Sequence, residues 1–452
     1  MALSRISRRT LLAGAGASGL ALAANPGFSA EALGGALDAT KLGVRPDSPD
    51  DQSQALQNAL TAAEAERRPL FLPPGRYGIA DIELPANAML AGVPGETRLV
   101  YRGGGSMLRA RPGDRLRLDG IVLDGVMRPL SAEGLLTAED VADAIVENCA
   151  VTGSAGSGLS LRGCGGRIAT TSVTACRYVG IHAAGSRGLS VLDNAVRQCG
   201  DTGILVIRDD EGPDDTIIRG NRVSAIPALS GGTGQYGNGI NLAKANGVIV
   251  DGNRLDDCAF SAIRCFSADD VALTGNIATN SGEVALYVEF ASEGAVVSAN
   301  IVDGAAYGIS FANFAEHGGR LAVCTGNLVR NISGVSRLPR GEPLTGSGIG
   351  AEADIAITGN VVENAEHGLE LGWGPYLRGV SATGNILRNV GTGIAVSVVE
   401  GVGTALIRDN LISGARQAAI RGMRWAEPAT GELADGDASA WPHLAIDGNR
   451  VS

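Results

Sequence analysis

The chain carries 452 residues with a formal net charge of −11, 66 glycines and an aromatic content of only 4%. The acidic balance argues against nucleic acid as a partner, and so few aromatic residues leave no large globular core. What remains compatible is a narrow interior of small aliphatic side chains with many tight corners, for which glycine supplies the backbone freedom.

Residues 1–30 stand apart. Ser7-Arg8-Arg9-Thr10-Leu11-Leu12 opens an apolar stretch from Leu11 to Ala24, with small residues suited to cleavage at Ala21-Leu22-Ala23. This arrangement resembles a bacterial twin-arginine signal peptide. The resemblance implies passage of an already folded protein through the twin-arginine translocation machinery, a periplasmic or secreted location, and no stable membrane span after signal cleavage. No later segment keeps an apolar run of membrane-spanning length.

Residues 31–68 read as a linker and one amphipathic helix. Ser48-Pro49-Asp50-Asp51 forms a helix start, and Leu56, Ala59, Leu60 and Ala63 follow at helical spacing, which predicts a helix near 51–66. A stack of β-coils has an open apolar end that invites edge-to-edge association, so this helix is assigned as its N-terminal cap.

Residues 69–452 repeat. An asparagine closing a short apolar strand recurs at Asn194, Asn221, Asn253, Asn276, Asn300, Asn327, Asn360, Asn385, Asn410 and Asn449, the shortest intervals being 23, 24, 25 and 25 residues. Glycine followed by an alternating apolar strand keeps the same step at Gly158, Gly180, Gly203, Gly239, Gly308, Gly368 and Gly393. The alternation has period 2, so each unit holds two or three strands rather than a helix. An all-β fold follows, a single right-handed parallel β-helix with coils stacked about 4.8 Å apart. Superposed coils align their asparagines, whose amides both donate and accept, and this predicts a structural ladder. The seven cysteines sit at repeat-like positions without metal spacing and read as buried thiols, with Cys176 and Cys199 the one pair placed for a bridge between adjacent coils.

Insertions leave a solenoid as loops, and loops on one side mark a binding face. The repeat gains residues at Pro227 to Asn238 and Ser336 to Ser347 before the Gly-Ile strand, and at Arg208 to Asp215, Asn313 to Arg320, Trp373 to Arg378 and Trp425 to Pro442 after it. The outer face of the Gly-Ile strands is therefore predicted to be the floor of a long groove, a shape suited to a polymer. With each Ile inward, alternation puts Ser160, His182, Leu205, Asn241, Arg264, Tyr287, Ser310, Gly350, Glu370 and Ala395 in one outward column, and Arg162, Phe266, Glu289 and Glu352 in a second.

Two constellations on this floor carry chemistry. In the centre, Lys244, Arg264 and Tyr287 are candidate catalytic residues for proton abstraction beside a sugar carboxylate, which needs a base, a cation and an acid. Asn241, Phe266 and Glu289 accompany them as binding residues, with Asn241 and Glu289 offering oxygens to Ca²⁺, the one candidate cofactor. Further along, Glu352 and Glu370 lie on successive coils near His367 and Trp373, a carboxylate pair suited to glycoside hydrolysis. His182 also stands in the floor column. The paired aspartates Asp209-Asp210 and Asp214-Asp215 flank Glu211-Gly212-Pro213 and read as a polar loop, and the four histidines show no metal-ligand spacing.

Pro69-Leu70-Phe71-Leu72-Pro73-Pro74-Gly75-Arg76-Tyr77, placed directly after the helix, resembles the opening of pectate-lyase-like β-helix proteins. With the arginine-pair leader and the Asn/Gly repeats, nearly the whole chain resembles a family of twin-arginine-translocated β-helix repeat proteins, a likeness that supplies no catalytic residues. The central Lys and Arg on neighbouring coils are similar in type and placement to the base and acid of β-helix polysaccharide lyases, without their complete calcium motif. The leading expectation is an exported protein that binds an acidic polysaccharide and cleaves or epimerises it by lyase-type chemistry. Two alternatives stand beside it: a non-catalytic carbohydrate-binding or structural envelope protein, and a glycoside hydrolase using Glu352 and Glu370.

Overall fold

The computed structural model describes residues 35–313, 318–337, 344–434 and 438–452; the signal-like segment and His317 lie outside them. The chain winds through three sheets of 16, 15 and 15 strands, and away from the two ends of the stack neighbours within each sheet are every third strand in sequence. Each coil thus gives one strand to each sheet, as in Ile217–Arg219, Arg222–Ile226 and Asn238–Asn246, followed on the next coil by Ile249–Asp251, Arg254–Cys258 and Ile263–Phe266. Neighbouring coils pair in parallel. The fold is all-β, a parallel β-helix with one short N-terminal helix, Ser53–Glu66.

The inward residues of the Gly-Ile strands, Ile181, Ile204, Ile240, Ile263, Leu286, Ile309, Ile349 and Leu369, are completely buried and stack along the axis. The asparagine series forms the expected ladder at the corner between the first and second sheets. In each rung the backbone N–H and the Nδ2 of one asparagine both donate to the Oδ1 of the next, as from Asn253 to Asn276 at 3.0 Å each. The remaining Nδ2 hydrogen reaches back to a carbonyl of the preceding coil, Asn276 Nδ2 to Val250 O at 2.9 Å. Each interior amide therefore uses both donors and both lone pairs. The residue before each asparagine turns the corner in the left-handed region, with φ 63° at Gly252 and Gly275, which explains the Gly-Asn pairing. The other glycine series serves closeness instead. A Cβ on Gly180 would lie 2.7 Å from the carbonyl oxygen of Gly203 on the next coil and 2.9 Å from Cys199 Sγ.

The helix buries Leu56, Ala59, Leu60 and Ala63, the four positions read from the sequence, against the first coil. Asp51 begins it by accepting the Ser53 N–H at 2.7 Å. Gln57 then satisfies the open edge of the strand Ile82–Leu84: its Nε2 donates to Glu83 O at 2.8 Å and its Oε1 accepts the Glu83 N–H at 3.0 Å, a side-chain amide imitating the missing strand. All seven cysteines are buried free thiols; Cys176 and Cys199 are register partners without a bridge between them.

The ladder makes a graded prediction. Asn276→Ala strands four buried partners and lowers stability by about 3 kcal/mol or more, each unsatisfied group costing roughly 1–3 kcal/mol. Asn449→Ala, at a half-exposed rung, costs less than half as much. Thermal melts of the two variants side by side check this, and equal losses would refute a saturated interior ladder.

Candidate functional site

The register places the outward column as alternation predicts. Ser160 pairs with His182, His182 with Leu205, Leu205 with Asn241, Asn241 with Arg264, Arg264 with Tyr287, Tyr287 with Ser310, Ser310 with Gly350, and Gly350 with Glu370. The floor is not one open groove, however. The segment 227–237 leans across its middle, where Asn238 Nδ2 donates to Gly234 O at 2.9 Å and Asn241 Nδ2 to Gln235 O at 3.4 Å. Two clefts of about 590 and 620 Å³ remain on either side.

The central residues lie beneath this crossing. Arg264 forms an ion pair with Glu289, and both side chains are nearly buried. The guanidinium also packs over the Phe266 ring, 5.1 Å from its centroid, and Phe266 meets Phe290 at 4.9 Å. Lys244 turns to the rim and donates from Nζ to Asp209 O at 3.0 Å. Lys244 is thus engaged at the rim and Arg264 is paired with Glu289, while Tyr287 stands beside Arg264 on the next coil. Glu289 is paired with Arg264, and Asn241 donates its Nδ2 to Gln235 O. Among the described residues no group of three or more His, Cys, Asp or Glu could hold a metal ion.

The 590 Å³ cleft gathers Tyr287, Glu352, Glu370 and Trp373, together with Glu283, Tyr307 and Trp425 that the sequence reading did not single out. Glu370 lies opposite Gly350, and Glu352 follows two residues after it, just past the end of the strand Ser347–Ala351, so the glutamates are diagonal neighbours with backbones about 8 Å apart. Glu370 Oε2 accepts three hydroxyls, Tyr307 at 2.9 Å, Thr345 at 2.8 Å and Ser347 at 2.5 Å. Ser347 in turn lies 3.5 Å from His367 Nδ1. Tyr307 reaches Glu370 by crossing the intervening coil, and only glycine permits it: a Cβ on Gly350 would sit 1.7 Å from the Tyr307 hydroxyl oxygen.

Burial, and then the negative charge of Glu370, push the Glu352 carboxyl up to about 8, against the opposing hydrogen bond from the Asn313 N–H at 3.1 Å. Glu352 is therefore a neutral acid at pH 7. Burial also raises the Tyr287 and Tyr307 phenols, helped by Glu289 and Glu352 for Tyr287 and by Glu370 and Glu352 for Tyr307, which keeps both protonated. One wall is aromatic. Trp373 and Trp425 meet edge to face at 5.7 Å, and Trp425 reaches the wall from the turn of the antiparallel hairpin Ala418–Arg424 and Glu427–Glu432, seated on the bare backbone of Gly374.

His182 lines the other cleft. Its Nδ1 lies 2.6 Å from Glu133 Oε1, and Ser160 Oγ donates to Glu133 Oε2 at 2.8 Å. Of the residues missed in the sequence, Tyr307 had a readable signal. The position before each Gly of the Gly-Ile strand forms its own register column, with Val284 opposite Tyr307, Ser347 opposite His367 and His367 opposite Thr392.

Two consequences are measurable. A carboxyl raised from about 4.5 to about 8 on folding contributes stability that is full below pH 4.5 and lost as pH rises through 8. Wild-type Tm should therefore fall relative to that of Glu352→Gln between pH 5 and pH 9, and parallel curves would disprove the raised pKa. Gly350→Ala should displace Tyr307 and melt at lower temperature than wild type, while Gly350→Ala combined with Tyr307→Phe recovers part of the loss.

A family model described as right handed beta helix region matches residues 130–231 and 212–317. No curated protein matches. Among solved structures, the pre-mature gene product 12 of bacteriophage phi29 is similar with a TM-score of 0.56 and 13% identity, the match covering 87% of this chain and 58% of that one. The A-module of the Azotobacter vinelandii mannuronan C-5 epimerase AlgE6 aligns over 92% of this chain and 99% of its own, with a TM-score of 0.49 and 13% identity. PfbA, a surface adhesin of Streptococcus pneumoniae, aligns over 85% and 91% at a TM-score of 0.45 and 12% identity. At these identities the likeness to phi29 gene product 12 is one of fold, and the fold of this chain is a right-handed parallel β-helix.

Proposed function

We propose that the chain hydrolyses a neutral glycan in the cleft of Glu352 and Glu370, acting outside the cytoplasmic membrane after twin-arginine export. The observation that carries this reading is the unequal setting of the two carboxyls. Glu352 is pushed up to about 8 and holds a proton to give, while Glu370 is gripped by the hydroxyls of Thr345 and Ser347 from the adjacent coil and of Tyr307 from the coil beyond it. Glycoside hydrolysis uses such a division, one carboxylic acid protonating the leaving oxygen and a second carboxylate assisting the attack on the sugar carbon. Trp373 and Trp425 supply apolar surface for a sugar ring.

The charge of the cleft selects the substrate. Glu283, Glu352 and Glu370 line it, and no lysine or arginine is among its described lining residues. An acidic polysaccharide would meet repulsion without a compensating cation, so the uronic-acid substrate expected from the sequence gives way to a neutral one, and lyase chemistry at Lys244, Arg264 and Tyr287 gives way to hydrolysis. A second reading, binding without cleavage, draws on the three hydroxyl bonds that already occupy Glu370 Oε2.

Incubation with a panel of neutral glucans, mannans and galactans should release new reducing ends without an ultraviolet-absorbing unsaturated product. Glu352→Gln and Glu370→Gln should each lower kcat/KM at least about 100-fold, the scale of a lost acid or base. Activity should decline as pH rises past about 8, where Glu352 gives up its proton. Binding of a panel glycan with no release by the wild-type protein would establish the second reading instead.

A further inference from the structure

The 620 Å³ cleft at the other end of the floor has the parts of a sugar site but not of a second hydrolytic centre. Its polar anchor is Glu133, held by His182 at 2.6 Å and Ser160 at 2.8 Å. Because a carboxylate only accepts, the His182 Nδ1–H donates, and Nε2 is left free of that bond. Tyr178 and Tyr236 line the same space, the former 42% exposed and steadied by Arg177, whose guanidinium carbon lies 5.6 Å from the ring centroid. Leu205 lines the floor, and no lysine or arginine is among the described lining residues. Aromatic surface beside a fixed carboxylate and imidazole, without a free cation, matches the apolar faces and hydroxyl edges of a neutral sugar.

Its chemistry differs from that of the first cleft. His182, against the opposing cost of burial, draws Glu133 down to about 2, so this carboxyl has no proton to give near neutrality. Asp201, the other acid in the lining, accepts the Ser230 N–H at 2.9 Å and its hydroxyl at 2.7 Å, which ties the crossing segment in place. Both carboxyls of the described lining are thus engaged by protein donors, Glu133 by His182 and Ser160 and Asp201 by Ser230. Seven coil steps separate His182 from Glu370 on this face, about 34 Å. The segment between the clefts gives Gln235 and Tyr236 to this one.

We propose that the cleft of Glu133, Tyr178, His182 and Tyr236 is a second, non-hydrolytic binding site for the same neutral glycan, gripping the polymer about 34 Å from the glutamate pair. This rests on the hydrolase reading for the identity of the glycan only. Two sites on one polymer raise its affinity through effective concentration, whereas a trisaccharide is too short to engage both.

The test is affinity gel electrophoresis of the full-length Glu352→Gln protein through soluble neutral glucans, mannans and galactans, with the corresponding trisaccharides as competitors. At least one polymer should retard the protein, and Tyr178→Ala, at an exposed position, should weaken that retardation at least tenfold in apparent affinity, as should Tyr236→Ala. Circular dichroism confirms that the variants are folded. Unchanged retardation in both folded variants overturns the second site, as does a lack of retardation by every polymer. Reducing-end release by the wild-type protein is scored separately. Release with retardation indifferent to Tyr178 and Tyr236 removes the second site and leaves the hydrolase, whereas Tyr178-dependent retardation without release removes the hydrolase and leaves the site.

Discussion

The whole molecule depends on satisfying the polar groups of a corner that every coil buries. A chain that turns inward repeatedly brings peptide N–H and C=O groups out of reach of water, and each left unpaired would cost of order 1–3 kcal/mol. The asparagine amide answers this because it alone among small side chains offers two donors and two lone pairs on one planar group. Stacked on the axis, each rung satisfies the backbone of its neighbours and is itself satisfied by them. Each asparagine donates forward to the next rung and back to the coil before it, so every coil is tied to both neighbours.

With the corners fixed, the remaining two sides of a coil are free to vary, and the variation is where the chemistry lies. Segments inserted between rungs do not disturb the ladder, which connects Asn221 to Asn253 across 32 residues as well as Asn253 to Asn276 across 23. Inserted residues thus build walls while the strands beneath keep register. The two clefts share a floor but differ in electrostatics: one keeps a proton on Glu352 by burial and a neighbouring charge, the other removes it from Glu133 by pairing with His182.

Much of this was legible in the sequence because a period-2 pattern on a repeating frame is a local property. The outward column, the capping helix and the ladder all follow from it, and Glu352, Glu370, Tyr287 and Trp373 do share a cleft. What escaped depends on contacts between coils. The crossing of segment 227–237 rests on Asn238 and Asn241 holding the carbonyls of Gly234 and Gln235, which no insertion length announces. Arg264 and Glu289 looked like an open site because a column position gives direction but not cover. Tyr307 was missed since it works two coils away from where it stands, over a glycine that in the column signified only a missing side chain.

The aromatic wall has a consequence for biogenesis. Trp425 belongs to the final hairpin, yet it rests on Gly374 beside a cleft whose floor begins at Tyr287. Coils added in order from the capping helix would place the glutamates on an incomplete platform, and the wall closes only when the last hairpin docks. The enclosure of the cleft thus depends on the last hairpin: a chain lacking Trp425 would carry both carboxyls without this part of the wall.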